Sequence, residues 1–193
     1  MKITKTLIAA SAAFAFSVAA PVTVPHLSTA FSAAHTKMVG GAEMFPDKDI
    51  VDNAVNSADH TTLVAAVKAA GLVETLKGSG PFTVFAPTNA AFEKLPAGTV
   101  EKLLLPDMKG TLQKVLTAHV VAGKISAEDI VNMMGGKGYV NLTTVSGDVI
   151  TARQNSKGVY LFDESGNVGW VTIADVNQSN GVIHVINSVL VPK

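Results

Sequence analysis

Apolar positions along the chain follow two different periods, helical in the first half and strand-like in the second. From Asp49 onward, Ile50, Val51, Ala54 and Val55 form one stripe, and Leu63, Val64, Val67 and Ala70 form another at helix spacing. Asp59 is the expected N-cap of the second helix and Gly71 its C′ residue, with one more turn over Leu72–Lys77. Gly78-Ser79-Gly80-Pro81 then breaks the pattern and launches the run Phe82–Phe92, FTVFAPTNAAF. In this run Phe82 and Val84 point one way, and Thr83 and Phe85 the other. A strand apolar on both sides belongs inside a domain, and Pro87 ends it because proline has no amide to give the ladder. Thr88 follows as a helix N-cap, with Pro87 and Phe92 at the spacing of a hydrophobic staple.

Short helical segments follow at Thr88–Leu95, Thr99–Leu105 and Lys109–Ala118, separated by Pro96 and Pro106. Ser126 to Asp129 reads as a capping box for one more helix. After Gly138 the period shortens to two. Strands are expected at Tyr139–Val145, Val149–Arg153, Val159–Phe162, Trp170–Ile173 and Val182–Val191, separated by turn-forming clusters. The segment Gly181–Pro192, GVIHVINSVLVP, is β-branched except at His184, Asn187 and Ser188. Helices first and strands later, with little alternation, give an α+β fold and a single domain.

Composition narrows the function classes. The 193 residues carry 48% hydrophobic and 16% charged side chains, which excludes a disordered chain, and the net charge of zero offers no pull toward nucleic acid. Lys2 and Lys5 followed by the apolar stretch Leu7–Ala20 read as an export signal, too short to cross a bilayer. The expected divisions are a signal peptide over 1–20, with cleavage as late as 34, a flexible lead-in over 21–46, and one domain over 47–193. Neither cysteine nor a long apolar stretch follows, so the expected protein is secreted or periplasmic, without disulfides or a membrane anchor.

The chemistry-bearing residues are few. His119 closes the stripe Leu112, Val115, Leu116, and His184 alternates with Val182 and Ile186, so both read first as packing histidines, His119 with its charge favoured by the carbonyls of its helix end. A triad of these histidines with Asp175 and Ser179 or Ser188 lacks any nucleophile elbow. The histidines show no metal-binding spacing, and neither a metal nor a cofactor is expected. Asp163-Glu164 reads as a surface carboxylate pair. Asp175 reads as an acceptor of amides across the last turn, or as a residue displayed to a receptor.

The two runs at Phe82–Phe92 and Gly181–Pro192, together with SADHTTLVAAVKAAGL (Ser57–Leu72) and VTIADVNQSNGVIHVI (Val171–Ile186), resemble the fasciclin-like domain, as in single-domain bacterial secreted members. The resemblance implies a wedge of two packed β-sheets with a helical cluster against it. It also implies a non-enzymatic role in adhesion, through a cell-surface or matrix protein or a polysaccharide, by a monomer or weak oligomer. Phe82, Phe85, Pro87, Thr88 and Phe92 fall in the family's first box, and Gly181, His184 and Asn187 in its second. Ala118-His119 stands at the family's Tyr-His motif and Asp175-Val176 at the Asp-Ile that animal members use in integrin contact, so His119, Asp175 and Val176 are the binding candidates. Two alternatives stay open: a periplasmic small-molecule binder or hydrolase with a cleft near His119 and His184, and a structural envelope protein.

Overall fold

Phe82–Pro87 is a central strand because both of its sides find apolar cover. The computed structural model describes residues 36–192 of the chain. The strands are β1 (Lys37–Val39), β2 (Ala42–Met44), β3 (Phe82–Pro87), β4 (Val120–Ala122), β5 (Tyr139–Thr143), β6 (Val149–Asn155), β7 (Gly158–Phe162), β8 (Val168–Gln178) and β9 (Gly181–Ile186). The helices are α1 (Ile50–Ala54), α2 (Thr61–Ala70), α3 (Val73–Lys77), α4 (Asn89–Phe92), α5 (Thr99–Leu103), α6 (Lys109–Thr117) and α7 (Ala127–Met134). The architecture is α+β.

Seven strands form one sheet in the order β4-β3-β9-β8-β7-β6-β5, and β1 pairs with β2 in a separate hairpin. The resemblance implies two packed sheets. Here hydrogen bonding runs without a break through the eleven-residue strand β8, whose start pairs with β7 and whose end pairs with β9. Register shifts between Val171 and Ile173 and between Ile173 and Val176 mark β-bulges within the β8–β9 pairing.

The two runs that resemble the family boxes are hydrogen-bonded neighbours. Strands β3 and β9 pair in parallel, from Phe82 opposite Gly181 to Pro87 opposite Ile186. Val84, Ala86, Ile183 and Val185 enter one apolar cluster with Leu63 and Val67 of α2, Leu112 and Leu116 of α6, and Phe92 of α4. Phe85 and Ile186 enter a second cluster with Ile130 and Met134 of α7 and Leu142, Ile150 and Leu161 of β5, β6 and β7. A strand sandwiched in this way needs no polar face, which is why alternation is missing from its sequence. Gly181 is fixed by proximity. A Cβ there would lie 2.1 Å from the carbonyl oxygen of Phe82.

Several expectations are corrected. The segment expected to be a flexible lead-in up to residue 46 contains the β1–β2 hairpin, with Val39 and Met44 buried in the first cluster and Lys37 Nζ donating to the Ala174 carbonyl at 2.6 Å. Two turn glycines with positive φ, Gly40 and Gly41, disguise the hairpin as loop sequence. Thr88 is the N-cap of α4, but its side chain makes no capping bond. In so short a helix the Thr88 carbonyl itself accepts from Ala91 and Phe92, at 2.9 and 3.2 Å. Asp59 lies inside a 3-10 turn (Ala58–His60) rather than capping α2. Asn89 does that work from another element, its Oδ1 accepting from the Thr62 amide at 3.0 Å and its Nδ2 donating to the Ala58 carbonyl at 2.8 Å. Strand β9 stops at Ile186, short of the expected Val191. The expected signal peptide lies outside the described residues.

Candidate functional site

Around the β3–β9 pair, polar side chains tie each neighbouring loop to the sheet. His184 of β9 is fully buried and stacks on Phe85 of β3, ring centroids 5.5 Å apart and planes 26° apart. Its Nε2 lies 2.9 Å from the Ile125 carbonyl, which can only accept, and its Nδ1 lies 3.3 Å from the Asp175 amide, which can only donate. These partners dictate a neutral ring protonated on Nε2. Burial drives its pKa down, against the opposing pull of the Ile125 carbonyl and the Asp175 carboxylate.

His119 is the mirror case. It follows α6 directly and is buried, its Nδ1 donating to the Val115 carbonyl at 2.8 Å and its Nε2 accepting from the Leu190 amide at 2.9 Å. The ring is neutral with the proton on Nδ1, and burial depresses its pKa to about 4. The expected favouring of its charge by helix carbonyls is therefore corrected: desolvation outweighs the helix end, and a charged ring would lose the Leu190 bond. Sequence order alone does not reveal that His119 reaches a backbone amide 71 residues later.

Asp175 is not an acceptor across the β8–β9 turn. Its Oδ1 accepts from the Ala127 amide at 2.8 Å, the first residue of α7, where Ser126 and Asp129 form the expected capping box. Carboxylates at this end of a helix meet unpaired amides and the positive end of its dipole. Asp175 is half-buried and has φ of 55°, the positive-φ non-glycine residue of the described chain. Its bulge turns the side chain toward α7 and places Val176 in the first apolar cluster at 1% exposure. Of the three binding candidates, His119 and Val176 present no surface, and Asp175 presents part of one.

Two more carboxylate and amide groups complete the set. Asp163, expected at the surface, is buried at 8% exposure. It accepts from the amides of Ser165, Asn167 and Val191 and from Asn167 Nδ2, so it closes the β7–β8 turn and holds the C-terminal segment. The signal was present in the sequence as an Asp-x-x-Gly-Asn turn (Asp163 to Asn167), where the aspartate folds back on its own backbone. Asn187 uses Oδ1 to accept from the Trp170 amide at 2.9 Å, extending the β8–β9 ladder past its last regular pair.

Beneath α2 the first apolar cluster leaves a cavity of about 90 Å³, walled by Leu63, Val67, Leu76, Leu116 and Val120 with His60 and His119 among its polar contacts. Among the described residues no group of three or more His, Asp or Glu side chains is placed to hold a metal ion, and no helix is long and apolar enough to cross a membrane. Since His119 and His184 both commit both ring nitrogens to backbone partners, neither is poised to take a proton from a serine.

Comparison with known proteins places this arrangement. The fasciclin domain family model matches residues 58–192. Protein sll1483 of Synechocystis is 49% identical over 143 residues, covering 74% of this chain and 73% of that protein. Immunogenic protein MPB70 of Mycobacterium bovis is 38% identical over 144 residues, covering 72% of this chain and 66% of that protein. Transforming growth factor-beta-induced protein ig-h3 of Sus scrofa is 40% identical over 131 residues, covering 67% of this chain and 17% of that protein. Among solved structures, the FAS1 domain pair of the insect cell adhesion molecule fasciclin I superposes with a TM-score of 0.67 at 20% identity, covering 76% of this chain and 51% of that one. The chain belongs to the fasciclin domain family.

Proposed function

We propose that the protein is a secreted or periplasmic, non-catalytic adhesion module that contacts a cell-surface or matrix protein or polysaccharide as a monomer or weak oligomer. The observation that carries this reading is family membership across residues 58–192. It is supported by a neighbour described as a cell adhesion molecule and by a relative described as a cell surface glycolipoprotein, 39% identical over 121 residues. The commitment of His119 and His184 to backbone partners speaks against the hydrolase alternative. Residues 1–20 serve in this reading as the export signal.

The test is retention of the purified protein, lacking residues 1–34, on outer-membrane fractions and matrix extracts, with its mass in solution measured by light scattering. Saturable retention supports adhesion. A monomer retained by neither overturns it.

The cavity beneath α2 favours one second reading, carriage of a small apolar molecule, because an apolar void of this kind stays dry and accepts apolar guests. A rise in melting temperature with benzene or indole as probe supports it, and none under saturating probe removes it.

A further inference from the structure

Both tyrosines of the chain, its single tryptophan and its single arginine fall in one cross-strand row. Tyr139 on β5 pairs with Arg153 on β6, Arg153 with Tyr160 on β7, and Tyr160 with Trp170 on β8. The next row holds Asn141, Thr151, Phe162 and Val168. Alternation sends the intervening residues Leu142, Ile150, Ala152 and Leu161 into the second apolar cluster with α7, so both rows lie on the opposite face.

That face is built rather than incidental. The Tyr160 ring lies 4.8 Å from Trp170 and 5.4 Å from Phe162, and the Arg153 guanidinium sits 5.7 Å from the Tyr139 ring and 5.6 Å from Phe162. Tyr139, Asn141, Arg153 and Val168 are exposed, while Tyr160, Phe162 and Trp170 are half-buried against one another. Thr151 Oγ1 donates to Asn141 Oδ1 at 3.0 Å, keeping a polar strip beside the rings. Charge is uneven along the face. Lys137 and Lys157 flank the end that carries Arg153, whereas Glu164 lies at the other end, its Oε1 accepting from the Val149 amide.

We propose that the outer face of β5–β8 binds a linear polysaccharide containing uronic acids. The proposal rests on the adhesion reading and names its partner class. One ring or guanidinium per strand gives a straight row of about 14 Å, suited to a repeating chain of pyranose units. Aromatic faces are electron-rich and take the polarised C–H face of a sugar ring without requiring a deep pocket. The planar Arg153 fork, preoriented over two rings, pairs with a uronate carboxylate in two-pronged geometry, and the flanking lysines match the repeating negative charge. A neutral glucan would leave these cations unused.

Trp170 is a built-in reporter because it is the only tryptophan. The protein is titrated with alginate oligosaccharides, with dextran as neutral sugar and polyglutamate as a sugar-free polyanion, reading tryptophan emission and mobility in affinity electrophoresis. Alginate is expected to shift emission and retard migration, and Arg153→Gln to weaken both by about tenfold, the loss of one charge-assisted pair. Tyr139→Ser, at an exposed position, is expected to weaken binding with an unchanged melting temperature. No response to alginate, an equal response to polyglutamate, or full retention by Arg153→Gln overturns the proposal. The same variants in the membrane-fraction assay separate the two readings. Undiminished retention of Arg153→Gln there sinks this face while adhesion stands, and alginate binding without retention sinks adhesion alone.

Discussion

Phe85 and His184 lie opposite each other in the parallel β3–β9 register and stack at 5.5 Å, joining the two family-defining runs in the interior. Phe85 is fully buried, so truncation removes its contacts with both His184 and the α7 side of the core. Phe85→Ala is expected to cost about 3–5 kcal/mol, read by urea denaturation. Phe92→Ala, at 7% exposure, is expected to cost a similar amount.

Acid is expected to weaken the fold through the histidines. His119 has a pKa of about 4 in the folded protein against 6.5 in an exposed chain, because burial disfavours its charge. The unfolded chain therefore takes up the proton first. Stability from this group is complete above about pH 6.5, falls as pH drops, and levels off near pH 4, a total of about 3 kcal/mol. His184 and His60, also held low by burial, act in the same direction. Denaturation curves at pH 7, 5.5 and 4 should show the decline, and His119→Gln should be less stable at pH 7 with a shallower pH slope.

Capping is expected to follow geometry rather than position. Thr88→Ala should change stability by less than about 0.5 kcal/mol, since the hydroxyl caps nothing. Asn89→Ala should cost about 1–2 kcal/mol by exposing the start of α2. Thermal melts of the two variants give the comparison, and the reverse ranking would contradict the assignment.

Asp175 combines a left-handed backbone with a capping side chain. Asp175→Asn is expected to retain most stability because asparagine tolerates the conformation and keeps an acceptor. Asp175→Val should be worst, losing the Ala127 bond and adding a β-branched side chain at φ of 55°. A melting-temperature series that places Asn below Val would contradict this role.

Gly181→Ala is expected to prevent accumulation of soluble folded protein. Its Cβ would meet the Phe82 carbonyl, a backbone atom that cannot yield without parting β3 from β9. Yield of soluble protein and far-UV circular dichroism provide the check.

Periodicity made the α+β class legible, as well as the burial of Phe82–Pro87 on both sides and the Ser126–Asp129 capping box. Those features depend on neighbours a few residues apart. The sequence was silent where an interaction spans the chain: the Leu190 amide on His119, the Ala127 amide on Asp175, and Asn89 at the start of α2. Short strands also escaped. The three-residue β4 follows α6 with His119 between them, and β1 and β2 are too brief to set a period. The aromatic row was invisible because its members lie 7 to 14 residues apart and meet only through strand register.

The parallel contact between β3 and β9 also governs how such proteins can diverge. The buried residues of these two strands are each other's scaffolding, so changing them would cost the fold rather than retune an affinity. Lineages sharing that hidden seam remain free to repaint their outsides while the interior join stays the same.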